Sequence, residues 1–171
     1  MDSETAASLE SLHPDAFGWS LRCCGGDAGR AEEVLQNAYL KMAAGRVRFD
    51  GRSTFKTWWF GVIRLTALEE HRRARFRESL LGKLLASFTE EHHPCPSRQI
   101  ERDEQAAWLQ AALEKLPSRQ AQTLHLVFYQ DLTLKEAAQV MRVGLGSVRQ
   151  HYERGKARLR VLLQATPGHE R

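Results

Sequence analysis

"TLKEAAQVMRVGLGSVRQHYERGKARLR", residues 133–160, is the stretch whose reading decides the fold. Its first four residues make a capping box: the Thr133 hydroxyl can accept from the Glu136 amide while the Glu136 carboxylate reaches back to the Thr133 amide. A helix therefore starts here, with room for about two and a half turns before Val143-Gly144. Ala137, Ala138 and Met141 are available to pack it. Beyond the turn, Val148, Tyr152, Gly155, Leu159 and Leu162 fall on one face of a second, longer helix. Arg149, Gln150, Arg154, Lys156, Arg158 and Arg160 lie on its other face or along the edges. Two amphipathic helices joined by a tight turn outline a helix-turn-helix. The second supplies side chains that can reach base edges and cations that can fix phosphates, which is what reading a DNA groove requires.

Gly144-Leu145-Gly146 also raises the possibility of a nucleotide cradle. That fingerprint needs a glycine where this chain has Arg149 and a strand where it has a capped helix, and no Walker lysine follows. Gly144 is thus read as the entry to the second helix. Gly146 becomes a first-turn residue that permits close packing or close approach of DNA.

Outward from this stretch the periodicity stays helical. Ser118 is placed to cap a helix that carries Ala121, Leu124, Val127 and Phe128 inward, and Ala106, Leu109, Leu113 and Leu116 form a stripe that stops at Pro117. "TLHLVFY" has β-prone residues, but it sits inside that capped helical stretch. Residues 88–98, "FTEEHHPCPSR", hold two prolines and few apolar residues and read as part of a linker. Further upstream, Ala31, Val34, Leu35, Ala38 and Met42 mark a one-sided helix that Gly45 ends, and an earlier helix with Phe17 and Leu21 stops at Gly25-Gly26. Phe55, Trp58, Trp59, Val62 and Ile63 mark a third stripe, which continues into the basic "EEHRRARFR". Core packing is the favoured role for Trp58, although an aromatic in such a basic helix also invites base stacking.

The expected fold class is all-α, with two small helical domains joined by a flexible linker. The boundaries are an N-terminal tail at 1–13, a first domain at 14–78, a linker at 79–100, a second domain at 101–165 and a C-terminal tail at 166–171. A chain of 171 residues, 42% hydrophobic and 27% charged, can bury one medium core or two small ones. The net charge of +4 is unevenly spread. Residues 1–45 carry −4 and 46–78 carry +5; after a neutral 79–100, residues 101–141 carry −2 and 142–171 carry +5. Each basic block is a footprint for a polyanion. The acidic start and the lack of an apolar run of 18 residues argue against export or membrane insertion. Cys23, Cys24 and Cys95, without CxxC spacing, suit a reducing compartment, so a cytoplasmic location is expected.

Taken together, the chain resembles the extracytoplasmic-function (ECF) group of sigma-70 family RNA polymerase sigma factors, the minimal type with regions 2 and 4 only. "AEEVLQNAYLKM" looks like the polymerase-docking helix of region 2 and "FDGRSTFKTWWFGVIR" like its promoter-opening segment. Residues 116–160 match the pattern of region 4 without a gap. The resemblance implies that Glu32, Glu33, Gln36 and Lys41 bind the clamp of the largest core-polymerase subunit, with the β-flap as a further polymerase contact. It implies that Phe49, Asp50, Gly51, Arg52 and Ser53 form the loop that captures a flipped base of the −10 element, an extrusion that costs a few kcal/mol. Lys56, Arg64, Arg72, Arg73 and Arg75 would hold the strand backbone. Ser147, Arg149, Gln150 and Arg154 would reach base edges of the −35 element, and Lys156 and Arg158 its phosphates. Core RNA polymerase, promoter DNA and an anti-sigma factor are the implied partners.

Three positions depart from the family pattern: Leu65 replaces an asparagine, Gly61 an arginine, and Arg142 the customary turn glycine of region 4. Arg142 either adds a phosphate contact or tolerates a left-handed turn at some strain. No catalytic constellation stands out, so the chain is expected not to be an enzyme, and no cofactor is expected. His92, His93 and Cys95 lack two further ligands for zinc, and Cys23 and Cys24 read as buried structural cysteines. Two rival functions are a stand-alone helix-turn-helix repressor and a sigma mimic that sequesters an anti-sigma factor.

Overall fold

In a computed structural model, the residues described are 3–84, 109 and 111–164. Among them all regular structure is helical. Helix α1 spans Ser3–Ser11, so much of the stretch expected as a tail is helical and buries Leu9. Helix α2, His13–Cys23, takes Pro14 in its first turn, where the missing N–H costs nothing. It ends as expected at Gly25 and Gly26, whose φ values of 70° and 93° belong to the region that glycine enters freely. Helix α3, Ala28–Ala43, is capped by Asp27, whose carboxylate accepts from the Arg30 amide at 3.0 Å. It buries Ala31, Val34, Leu35 and Ala38, four of the five residues read from the periodicity. Gly45, at φ 66°, closes it. Helix α4 runs for 30 residues, Phe55–Leu84, past the residue-78 boundary of the sequence reading. Thr54 starts it, its hydroxyl accepting from the Thr57 amide and its carbonyl from the Trp58 amide.

Helix α5 is Ser118–Phe128, α6 is Leu134–Met141 and α7 is Leu145–Gln164. Two expectations for α5 are corrected. The cap is Pro117 rather than Ser118: the Pro117 carbonyl accepts from Gln120 and Ala121, and its extended ψ of 136° marks it as the residue outside the helix. Ser118 is already helical, and its hydroxyl accepts from the Gln122 side chain. Phe128 is 56% exposed rather than inward. It is the last residue of α5, stacked on the Tyr152 ring at 5.9 Å.

Clustering of the chain gives two compact units, Met1–Asp50 with Val62–Ser97 and Gly51–Gly61 with Arg98–Arg171. In the first, Ala16, Trp19, Ala31, Val34, Leu35, Ala38 and Ile63 are buried, and the Ser20 hydroxyl ties α2 to α3 through the Ala31 carbonyl at 2.8 Å. In the second, Leu116, Ala121 and Leu124 form a core against which Leu113, Tyr152, Leu159 and Leu162 pack. Trp59 is fully buried and Trp58 half-buried, its ring 6.0 Å from that of Trp59, which fits packing rather than display.

Candidate nucleic-acid interface

The capping box forms as read. Thr133 Oγ1 accepts from the Glu136 amide at 3.2 Å, and Glu136 Oε2 accepts from the Thr133 amide at 2.9 Å and its hydroxyl at 2.7 Å. Those bonds to Thr133, first from its hydroxyl and then from its backbone, hold the Glu136 carboxyl below the usual carboxylate range. Helix α6 therefore starts at a fixed point. It ends at Arg142, whose φ of 52° and ψ of 49° are left-handed, and the Arg142 and Val143 amides close the helix on Gln139 and Ala138. The left-handed turn anticipated for Arg142 is thus present without a glycine. Next, the Gly144 carbonyl accepts from Ser147 and Val148, which makes Gly144 the entry to α7.

Helix α7 is anchored along one side. Val148 is fully buried. Gly155 is buried too, and a Cβ there would meet Leu124 Cγ at 3.2 Å, so α5 and α7 approach closely because this residue has no side chain. The opposite side is open. Ser147, Arg149, Gln150, Arg154 and Arg158 are all exposed, and Arg149 and Arg158 have no ion-pair partner among the described residues. Lys156 differs: it is half-buried, 3.7 Å from Glu153 and 4.7 Å from the centre of the Tyr152 ring. Burial, then Arg119 and Arg154, lower the pKa of His151 and favour its neutral form.

The residues expected to handle the −10 element are less uniform. Phe49, Asp50, Gly51 and Arg52 are exposed on the loop before α4, with Gly51 at φ 72°, while Ser53 is half-buried with its hydroxyl on the Thr54 carbonyl. Lys56 lies 5.6 Å from the Phe60 ring centre. Arg72, Arg73 and Arg75 are exposed, with Arg73 paired to Glu70 at 2.9 Å. Arg64 is a correction: it is 8% exposed, so it is not displayed to a strand. Its charge sits near Cys23 and lowers that thiol's pKa, but burial and the neighbouring Cys24 outweigh it and push the thiol up. Cys24 is likewise pushed up, to about 11, chiefly by burial. Both cysteines are partly exposed as residues, and both shifts favour the protonated thiol at neutral pH.

On α3, Glu32, Glu33 and Gln36 are exposed. Lys41, grouped with them from sequence, is turned inward to Glu69 at 2.6 Å and Thr66 at 3.0 Å, where it ties α3 to α4. Between α2 and α3 lies an open depression of about 470 Å³, lined by His13, Phe17, Glu32, Leu35, Gln36 and Tyr39. The Tyr39 hydroxyl and His13 Nδ1 are hydrogen-bonded across its edge at 3.0 Å. Sequence reasoning missed His13, whose partner lies 26 residues away. Residues 92, 93 and 95, considered for zinc, lie outside the described residues; among the described ones no cluster of His, Cys, Asp and Glu could hold a metal ion. No described helix is long and apolar enough to cross a membrane.

Residues 9–77 match the family description "Sigma-70 region 2" and residues 112–161 match "Sigma-70, region 4". The RNA polymerase sigma-H factor of Pseudomonas aeruginosa is 30% identical over 146 residues, 81% of this chain and 75% of that protein. The chain belongs to the ECF sigma factors. The ECF RNA polymerase sigma factor EcfG of Rhodopseudomonas palustris is 28% identical to this sigma factor over 157 residues, 92% of the one and 81% of the other. Its fold is similar to that of the sigma factor RpoE of Bartonella quintana, solved with the anti-sigma factor NepR. That likeness has a TM-score of 0.71 at 20% identity and covers 96% of this chain and 99% of that one. CnrH, solved with the cytosolic domain of CnrY, gives 0.62 at 18% identity over 96% and 90%. As a sigma factor, the protein binds core RNA polymerase and promoter DNA and directs transcription initiation at promoters; the repressor and decoy readings are not favoured. Such factors are initiation factors rather than enzymes.

Proposed function

We propose a division of labour in which α7 reads the −35 element as duplex, the basic end of α4 with the loop 49–53 handles the opened −10 element, and the outer face of α3 docks on the clamp of the largest polymerase subunit. Ser147, Arg149, Gln150 and Arg154 reach base edges or their neighbours, and Arg158 reaches phosphate. Lys56, Arg72, Arg73 and Arg75 hold the strand that the loop engages, with Arg64 reassigned to the core. Glu32, Glu33 and Gln36 form the docking face, and Lys41 supports it from behind. The two domains expected at 14–78 and 101–165 carry these roles, the first widened by α1 at Ser3–Ser11 and by the run of α4 to Leu84. The chain works in the cytoplasm, catalyses nothing itself, and is held off by an anti-sigma factor. RpoE, a solved sigma factor similar in fold, is bound to the anti-sigma factor NepR, and CnrH, also similar in fold, is bound to the cytosolic domain of CnrY.

The observation that supports this most is the two-sidedness of α7. Its packed side is fixed by Val148 and Gly155, and its free side offers Arg149 and Arg158, which have no ion-pair partner among the described residues. A rigid helix with unpaired donors is suited to a groove, where phosphate contacts position it and base contacts specify.

In vitro transcription from a promoter library, with this chain as the sole specificity subunit, is expected to yield RNA from a defined set of start sites that share two upstream elements. Gel shifts with and without core polymerase complete the test. Retention of a palindromic duplex by the chain alone, or no retention when core is added, overturns the proposal.

A further inference from the structure

We propose that Phe76 is a base-stacking residue, and that the neighbouring Arg72 and Arg75 hold phosphates of the strand that carries the base. This deepens, and rests on, the reading of the basic end of α4 as the part that handles the opened strand.

Phe76 is 66% exposed, the most exposed large hydrophobic residue among those described. Its position on α4 explains why. The packed side of the helix runs through Ile63, Thr66 and Ala67 to the half-buried Glu70 and Ala74, and Phe76 points the other way. Leu68, 42% exposed, and Arg72 share its face at four-residue intervals. Arg72 and Arg73 lie one turn before it, within reach of the same ligand. Residues 71–77 hold four exposed arginines and no acid, and Arg72, Arg75 and Arg77 have no ion-pair partner among the described residues.

The occupant follows from this charge. An aromatic ring alone would suit any apolar partner; a ring among unpaired guanidinium groups suits a polymer that alternates phosphates with flat faces. The four-residue step from Arg72 to Phe76 is about 6 Å of helix axis, comparable to one step of an extended strand. Stacking of this kind tolerates any base, because every base has a π-face, and it requires that base to be unpaired.

The test uses holoenzyme assembled with the full chain, on a promoter recovered from the library experiment and labelled with 2-aminopurine in its opening segment. Phe76→Ala is expected to reduce affinity for a forked, partly single-stranded template by about tenfold, with binding to core polymerase and to closed duplex unchanged. Phe76→Trp should stay within about twofold of wild type. Equal opening by wild type and Phe76→Ala overturns the inference and leaves the parent reading standing. An equal loss on closed duplex, or a loss of core binding, also overturns it and assigns the ring to duplex or to protein. If the wild type opens no promoter, both fall.

Discussion

Helices α4 and α7 each carry a block of net charge +5 in or around them, yet the two spend their cations differently. Helix α7 packs through small and apolar residues and leaves its arginines exposed along one side. Helix α4 takes one arginine into the core, pairs another with Glu70, and exposes Leu68 and Phe76 beside its charges, whereas α7 exposes a large apolar side chain only at Val161, beyond Ser147, Arg149, Gln150 and Arg154. Reading a paired groove calls for fixed donors on a rigid rod. Engaging a strand whose bases are unpaired calls for apolar surface beside the charge. On the proposed division of labour, this difference between the helices answers to the state of the nucleic acid each would meet.

The largest expected effects come from exchanging the two kinds of residue. Gly155→Val puts a branched side chain where even a Cβ meets Leu124 at 3.2 Å. Overpacking of this kind costs about 1–3 kcal/mol. Helix propensity recovers a few tenths of that at most. Urea unfolding followed by circular dichroism should show the loss, and duplex binding should weaken with it. Arg64→Ala should also destabilise by about 2–3 kcal/mol, since it removes a buried charged group and its packing. Arg75→Ala should leave stability within about 0.5 kcal/mol. Similar melts for the two arginine variants would erase the distinction between core and surface cations on α4.

The next comparison concerns DNA. Arg149→Ala is expected to cost about 1–3 kcal/mol on the preferred −35 sequence and to relax preference at one base pair. Arg158→Ala should weaken all sequences alike and lower the salt slope by about one. Competition gel shifts with holoenzyme at several salt concentrations separate the two. A uniform loss from Arg149→Ala would move it from base reader to phosphate clamp.

How much of this was legible in the sequence depended on how local the determinant was. The capping box, the entry at Gly144 and the two faces of α7 rest on residues within two turns of one another, so spacing alone revealed them. Arg64 and Lys41 did not read correctly. Each is a lone cation between apolar neighbours, Ile63 and Leu65 for Arg64 and Leu40 and Met42 for Lys41, and what receives it lies on another helix: α2 with Cys23 near Arg64, α4 with Glu69 and Thr66 for Lys41. Phe76 escaped for the converse reason. A lone aromatic in a helix is ordinarily core, and only the three-dimensional packing side of α4 reveals that it faces out. Ser118 and Phe128 mark the two ends of α5, where a shift of one residue or exposure at the last position changes the outcome.

The start of the helix-turn-helix carries its own pH dependence. The pKa of Glu136 is lowered in the folded chain, so its contribution is complete above the ordinary carboxylate value of 4.5 and is lost as pH falls through the lower folded value. The urea midpoint of the wild type should therefore fall more steeply than that of Glu136→Gln below about pH 4.5, and the two should run parallel above it. At neutral pH the substitution should cost only the charge-assisted part of the cap, since glutamine keeps an acceptor for the Thr133 amide. Parallel curves throughout would mean that the carboxylate adds nothing beyond its shape.

The smallest effect is expected at the turn that joins α6 to α7, and its sign is the informative part. Arg142 holds a left-handed conformation that costs an L-residue roughly 1–2 kcal/mol and costs glycine almost nothing. Glycine, however, gives up more conformational freedom on folding, which returns about 0.5–1 kcal/mol of that gain. Arg142→Gly should accordingly stabilise the chain by about 0–1.5 kcal/mol, read as a small rise in urea midpoint. Arg142→Ala keeps the strain and removes the charge, so it should leave stability nearly unchanged. If the alanine variant alone weakened duplex binding, the guanidinium would not be responsible, because both variants lack it. If both variants weakened it equally and flattened the salt dependence, the strained arginine would be retained for its charge, and the turn would join the free face of α7 as part of one cationic surface.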